Sequence, residues 1–244
     1  MIKNMKKKIL LIGLIVLIIG ITGTADATMF TGTSGNLSAS ADFSVNGSNL
    51  VVTLANISSA NVLAPADVLT AVFFTLPGGS YAPVSALLPV GSTVFFGSNG
   101  AGNVGGEWAY ASGLSGAPGG ADQGISSSGF GLFGGANFGG SNLQGPAAVD
   151  GVQYGLTSKG DDTTSGNAAV TGGNALIQYS VVFTLSGISS DFDPSSITKV
   201  SFQYGTALTE PNVPGKVVPE PGTLVLLGSG LLGLALFGRK KFRK

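Results

Sequence analysis

Hydrophobic residues are arranged in two ways along this chain of 244 residues. Two apolar runs, 9–21 and 222–238, contain no charged residue. Between them, apolar and polar residues alternate in short segments that are bounded by Gly, Pro, Asn and Asp. Alternation with a period of two is typical of half-buried strands, and no helical period is found between the two runs. The pattern predicts two membrane-interacting segments and an all-β domain between them.

The clearest strand signal is a hairpin. Segments 37–45 and 49–56 flank Asn46-Gly47-Ser48, and Asn-Gly readily supplies the positive φ angles of a tight turn. In another segment, 197–204, alternation places Ser201 and Gln203 on a face that we expect to be wet. Further strand signals cover 67–76, 92–96, 107–110 and 175–186. We therefore predict one antiparallel β-sandwich or jelly-roll-like domain over residues 28–209.

Residues 97–145 differ in composition, because 17 of these 49 residues are glycine. They lack the strict period of a triple helix, and such a stretch cannot be mostly regular structure. Single aromatic residues recur within it at Phe130, Phe133 and Phe138. We expect long loops that these side chains pin to the domain. A disordered insertion is the alternative.

The first 27 residues have the organisation of a secretory signal peptide. Four lysines precede the apolar run 9–21, and small residues follow it. Ala25 and Ala27 fit the A-x-A pattern of signal peptidase, so we expect export through the translocon and cleavage after Ala27. The alternative is an N-terminal anchor that is not cleaved.

The segment 219–244 has three parts: Pro219-Glu220-Pro221, the apolar run 222–238 and a basic cluster. As a helix, 17 residues extend about 25 Å, which is short for a bilayer core of about 30 Å. The basic residues favour a cytoplasmic end and stop transfer; they are Arg239, Lys240, Lys241, Arg243 and Lys244. The residues before the motif, 210–218, predict an extended, Pro-containing spacer.

The three-part segment 219–244 resembles the PEP-CTERM sorting signal of exosortase-dependent bacterial surface proteins. The resemblance implies that an exosortase recognises the tail, removes it, and releases or transfers the exported part. A permanent C-terminal anchor is an alternative. A glycolipid-anchor signal is another, although the basic cluster argues against it.

The body resembles a group of exosortase-dependent surface proteins for which no enzymatic activity is implied. The segments that carry this resemblance are 65–74, 105–110, 142–146 and 202–206.

Composition excludes several classes of function. The chain has neither Cys nor His, which rules out disulfides, Cys nucleophiles, Ser-His-Asp triads and the common His/Cys metal sites. Residues 28–218 contain three Lys and ten Asp or Glu, so the exported part has a net charge near −7. With no basic patch, nucleic acid is disfavoured as a partner.

Two groups of residues are candidates for a site in the domain. Asp161-Asp162 and the pair Asp191 and Asp193 are the close carboxylates that a glycosidase could use, but their Gly, Ser, Thr and Pro neighbours favour turn hydrogen bonds. Asp191 and Asp193 could also contribute to a calcium site. Glu107, Trp108 and Tyr110 could form a sugar-stacking platform, although a single Trp in a β domain is more often part of the core.

Together these observations predict a non-enzymatic surface or matrix protein without a cofactor. We expect transient anchoring in the inner membrane, exosortase processing, and delivery to the cell surface or extracellular polysaccharide. A carbohydrate-binding, lectin-like module is the alternative.

Overall fold

The computed structural model describes residues 27–78, 81–134, 137–145, 149, 151–165, 170, 173–219 and 230–231. Within these ranges the regular structure of the domain consists of strands and short 3₁₀ helices, which confirms the all-β prediction. The strands are β1 (Ala27–Ser34), β2 (Leu37–Asn46), β3 (Asn49–Asn56), β4 (Leu69–Thr75), β5 (Ala82–Leu87), β6 (Thr93–Phe95), β7 (Ala109–Ser112), β8 (Gln123–Ser126), β9 (Leu156–Thr157), β10 (Leu176–Gln178), β11 (Ser180–Ser186), β12 (Thr198–Tyr204), β13 (Asn212–Pro214) and β14 (Lys216–Val218). The 3₁₀ helices are Pro65–Asp67, Gly100–Gly102, Gly105–Glu107, Pro118–Gly120 and Pro194–Ser196.

The first sheet is antiparallel and has the strand order β14-β1-β2-β3-β11-β5. Its β2–β3 hairpin confirms the predicted turn, because Asn46 pairs with Asn49 and only two residues form the loop. Gly47 has a φ of +61°, a conformation that a residue with a Cβ adopts only with strain.

The second sheet has the order β13-β12-β4-β9-β10-β6, and β8 links β7 to β4. Its pairings are antiparallel except for β9 with β10, which are parallel. The described domain is therefore all-β with mixed pairing, and not purely antiparallel as predicted. β4 lies inside this sheet and its first six residues are buried, in agreement with its near-continuous apolar sequence.

The two sheets share one hydrophobic core. Phe43 of β2 and Phe74 of β4 belong to different sheets, and their rings meet edge to face with centroids 5.4 Å apart. Phe183 of β11 contacts Trp108 at 4.9 Å and Phe138 at 5.2 Å between ring centroids. These are the contacts expected between the layers of a sandwich.

The segment 175–186, predicted as one strand, forms two strands in different sheets. β10 pairs in the second sheet, whereas β11 pairs with β3 in the first. Tyr179 separates them with a φ of +87°, which breaks the extended conformation and lets the chain cross between the sheets.

On the face of β12 that was expected to be wet, Ser201 and Gln203 are buried, whereas Lys199 is exposed. Gln203 has no exposed surface, and its side-chain amide donates to the carbonyls of Ala207 and Glu210, both at 3.1 Å. The loop after β12 covers this face, and the Gln203 amide holds that loop in place.

The glycine-rich residues are more ordered than loops alone. β7 and β8 pair with each other within this stretch, and β8 was not predicted. Phe133 and Phe138 are buried, and Phe130 and Phe133 both contact Phe73. The described part of 97–145 is thus pinned by its phenylalanines as expected, and a disordered insertion is wrong for that part.

The predicted spacer 210–218 is not a free linker. Its residues form β13, which pairs with β12, and β14, which pairs with β1. Both strands lie at sheet edges, where Pro214 is tolerated because an edge strand needs hydrogen bonds on one side only. The folded domain therefore extends to Val218, nine residues beyond the predicted boundary at 209.

Candidate functional site

The end of the folded domain is a short, exposed edge strand. β14 pairs with β1 so that Lys216 lies opposite Thr31 and Val218 lies opposite Met29. Val217 is 57% exposed and Val218 37% exposed, and Met29 is 42% exposed beside them. This corner of the first sheet is consequently apolar and accessible to solvent.

The sorting motif starts where β14 ends. Pro219 follows the strand directly and is exposed. Glu220 and Pro221, the basic cluster 239–244 and the segment 222–238 lie outside the described residues, apart from helical Gly230 and Leu231. Within the described residues, no helix is both long enough and apolar enough to cross a membrane.

The predicted signal-peptidase site lies at the same corner. Ala25 and the rest of 1–26 are outside the described residues, whereas Ala27 opens β1 and pairs with Ser44. Because β1 and β14 are antiparallel, the start of β1 and the end of β14 lie at the same end of the pair. The described domain thus begins and ends at one corner of the first sheet. Cleavage after Ala27 stays a prediction.

The suggested sugar platform is inside the protein. Trp108 has no exposed surface, and Glu107 and Tyr110 are also buried. Gln123 belongs to the adjacent strand β8, and its Oε1 accepts a hydrogen bond of 2.7 Å from the Tyr110 hydroxyl. An indole that is fully covered cannot stack on a sugar, so Glu107, Trp108 and Tyr110 do not form a binding platform. They are buried structural residues, which is the alternative expected for a single Trp in a β domain.

Glu107 ties a glycine-rich loop to the core. Its Oε1 accepts hydrogen bonds from the backbone N–H groups of Leu143 and Gln144. Burial raises the pKa of Glu107, and the two N–H donors offset only part of that rise because they favour the carboxylate. The carboxyl group holds residues 143 and 144 in place.

The raised pKa of Glu107 predicts a contribution to stability that is lost as pH rises, which a substitution can test. An acid with a raised pKa in the folded state contributes stability below its unfolded pKa of about 4.3, and this is lost as pH rises through the folded pKa. As pH rises above about 4, we expect the Tm of Glu107→Gln to fall less than the Tm of the natural chain. Thermal melts followed by circular dichroism across this range measure the difference.

Asp162→Asn is the matched control. Hydrogen bonds from Thr164 lower the pKa of Asp162, so its contribution is present at neutral pH and lost as pH falls. In Asp162→Asn, the loss of Tm at acidic pH should therefore be smaller than in the natural chain, and the pH dependence due to Glu107 should be unchanged. Equal pH profiles for Glu107→Gln and the natural chain would contradict the role of the buried carboxyl.

Of the remaining candidate acids, Asp162, Asp191 and Asp193 make local hydrogen bonds in turns, whereas Asp161 is buried and bonds a distant segment. Asp193 caps the 3₁₀ helix Pro194–Ser196, where its carboxylate accepts from the N–H and hydroxyl of Ser195 at 2.8 and 2.6 Å. Asp161 accepts from the N–H of Val62 at 2.8 Å. Hydrogen bonding from Ser189 lowers the pKa of Asp191. Within the described part of the chain, no three acidic, His or Cys residues cluster as a metal site would require.

The pairing of β1 with β14 is the feature that the sequence did not reveal. The sequence of β1 carries no clear period-two signal, because the apolar residues Met29 and Phe30 are adjacent. Nothing local connects residue 29 with residue 218, because pairing between distant edge strands depends on the completed sheet.

Comparison with known protein families identifies the C-terminal segment of the chain. The family model of the PEP-CTERM protein-sorting motif matches residues 217–241, and the match begins inside β14. No curated protein and no solved structure matches the chain. The chain therefore carries a PEP-CTERM protein-sorting motif, which marks it as an exported protein that an exosortase sorts to the cell envelope or surface.

Proposed function

We propose that residues 28–218 form a non-enzymatic domain that is delivered to the cell surface or extracellular matrix. The segment 222–238 holds the domain at the inner membrane until an exosortase cleaves near Pro219-Glu220-Pro221. The observation that carries this proposal is the matched sorting motif, which continues directly from the last strand of the domain.

Charge distribution supports transient anchoring at both ends. Four lysines precede the apolar run 9–21, and five basic residues follow 222–238. The positive-inside bias places both basic flanks in the cytoplasm and the domain between them outside. A run of 17 residues is short for a permanent span, which favours an anchor that is later removed.

The use of the carboxylates supports a non-enzymatic role. Glu107 and Asp161 hold neighbouring backbone segments, and Asp162 and Asp193 cap turns. These acids have structural partners, and the chain has no His or Cys to supply another base or nucleophile.

Solubility outside the cell is the simplest use of the net charge near −7. The carbohydrate-binding alternative loses its proposed contact residues, because Trp108 lies in the core. Delivery to a polysaccharide matrix rests on the sorting motif alone and needs no sugar site in the domain.

Intact-mass spectrometry of protein recovered from the cell surface tests this proposal. We expect a chain that begins at Thr28 and lacks the basic cluster 239–244. Cells without exosortase should keep the tail and retain the protein in the membrane fraction. A surface protein that still ends at Lys244 would overturn the proposal.

A further inference from the structure

The segment that the sorting machinery recognises overlaps the folded domain. The family match starts at Val217, and both Val217 and Val218 are paired with β1 in the first sheet. Peptide-binding enzymes take extended segments whose backbone groups are available for pairing. An enzyme in the membrane would meet these residues with one edge already bonded and the domain directly adjacent.

β14 is held weakly. It has three residues, all exposed, and it lies at the edge of its sheet with β1 as its partner strand. Val217 lies opposite buried Phe30, yet more than half of the surface of residue Val217 remains exposed. Separation of β14 from β1 exposes little additional apolar surface, so the hydrophobic effect opposes it only weakly.

β13, by contrast, is held firmly. Val213 is 3% exposed and belongs to the main core. The side-chain amide of Asn212 donates to Ser201 and Gln203 of β12, both at 3.2 Å. The two strands differ in attachment although they are adjacent in sequence.

Gly215 separates the firm strand from the weak one. Its N–H donates to the carbonyl of Val200 at 2.8 Å, so the chain remains fixed to the second sheet up to this residue. A Cβ at this position would lie 3.0 Å from Cγ1 of Val200, so glycine allows the chain to pass close to β12 between β13 and β14.

We propose that β14 leaves β1, with Gly215 as the hinge, so that the exosortase binds the segment from Val217 onward as free extended chain. This inference rests on the proposed function and adds the way in which the recognised segment becomes accessible. Release of residues 215–218 separates the motif from the domain by about 13 Å, at about 3.3 Å per residue. In the resting protein, β14 covers the edge of β1.

A disulfide between β1 and β14 tests the release. The chain has no Cys, so Thr31→Cys with Lys216→Cys introduces the one disulfide that can form. Opposite residues in an antiparallel pair have Cα atoms about 4.5–5.5 Å apart, which suits a disulfide. Both positions lie outside the matched segment 217–241. We expect at least a tenfold slower loss of the tail in the oxidised form, with recovery on reduction.

Thr33→Cys with Ser38→Cys is the matched control. These positions are opposite each other on β1 and β2, so their disulfide leaves β14 free. The oxidised control should be processed like the natural chain. Equal processing of the two oxidised variants would overturn the release of β14.

A variant with an inserted linker tests whether the cysteine substitutions themselves slow the processing of the tail. Six Gly and Ser residues inserted between Lys216 and Val217 keep the matched segment intact and free it from the fixed strand. In the oxidised Thr31→Cys, Lys216→Cys chain, this insertion should restore processing, and a tail that stays uncleaved would count against the inference. If the natural chain and the control also keep their tails, the proposed function itself is wrong.

Discussion

Glu220→Ala should leave most of the protein with its C-terminal tail attached. Glu220 is the only charged residue between Lys216 and Arg239, and the two prolines beside it restrict the backbone. An enzyme group that pairs with this carboxylate would be left unpaired, at a cost of about 2 kcal/mol. This corresponds to about thirtyfold slower processing. Pulse labelling followed by intact-mass analysis measures the rate.

Two variants make this result specific. Glu220→Gln keeps the shape of the side chain and removes its charge, so slow processing here would assign the effect to charge. Lys216→Ala changes an exposed residue outside the matched segment and should be processed normally. If Glu220→Ala loses its tail as fast as the natural chain, recognition does not run through Pro219-Glu220-Pro221.

Local patterns predict the local parts of this fold. Asn46-Gly47 fixes the β2–β3 hairpin because a two-residue loop needs positive φ, and the sequence places glycine there. The phenylalanines of the glycine-rich stretch identify the positions where it packs on the core, because burial of large apolar side chains is favourable. Neither inference requires knowledge of distant partners.

Features that depend on distant partners were not predictable. The break at Tyr179 is stabilised by pairing on both sides, with β10 in one sheet and β11 in the other. The burial of Gln203 depends on carbonyls of the following loop, which no period-two pattern specifies. Polar residues on a strand indicate a wet face only when no other segment covers them.

The sequence predicted the sorting signal more completely than it predicted the structure of the residues that precede the signal. A short motif, an apolar run and a basic cluster are contiguous, so their order alone reveals them. The strands before the motif were mistaken for a spacer because prolines 211 and 214 are typical of linkers. Pro211 precedes β13, and Pro214 at the sheet edge lacks only a donor that the neighbouring strand does not need.

Trp108→Ala should destabilise the domain severely. The indole is fully buried, and it packs on Phe183, which also contacts Phe138. Its Nε1 finds no acceptor among the described residues, so packing alone holds the ring. Replacing a buried Trp by Ala costs about 3–5 kcal/mol, a large fraction of the 5–15 kcal/mol that typically stabilises a domain.

Urea unfolding of the mature protein, followed by circular dichroism, measures this loss and avoids Trp fluorescence as the probe. Trp108→Phe is the matched control, because it keeps an aromatic ring against Phe183 and removes the unpartnered N–H. We expect its loss to be less than half that of Trp108→Ala, since a smaller cavity remains. A Trp108→Ala protein with unchanged stability and weakened polysaccharide binding would contradict the core role and restore the sugar platform. The buried position of Trp108 predicts the opposite result: any effect on polysaccharide binding should appear only as the fraction of folded protein falls.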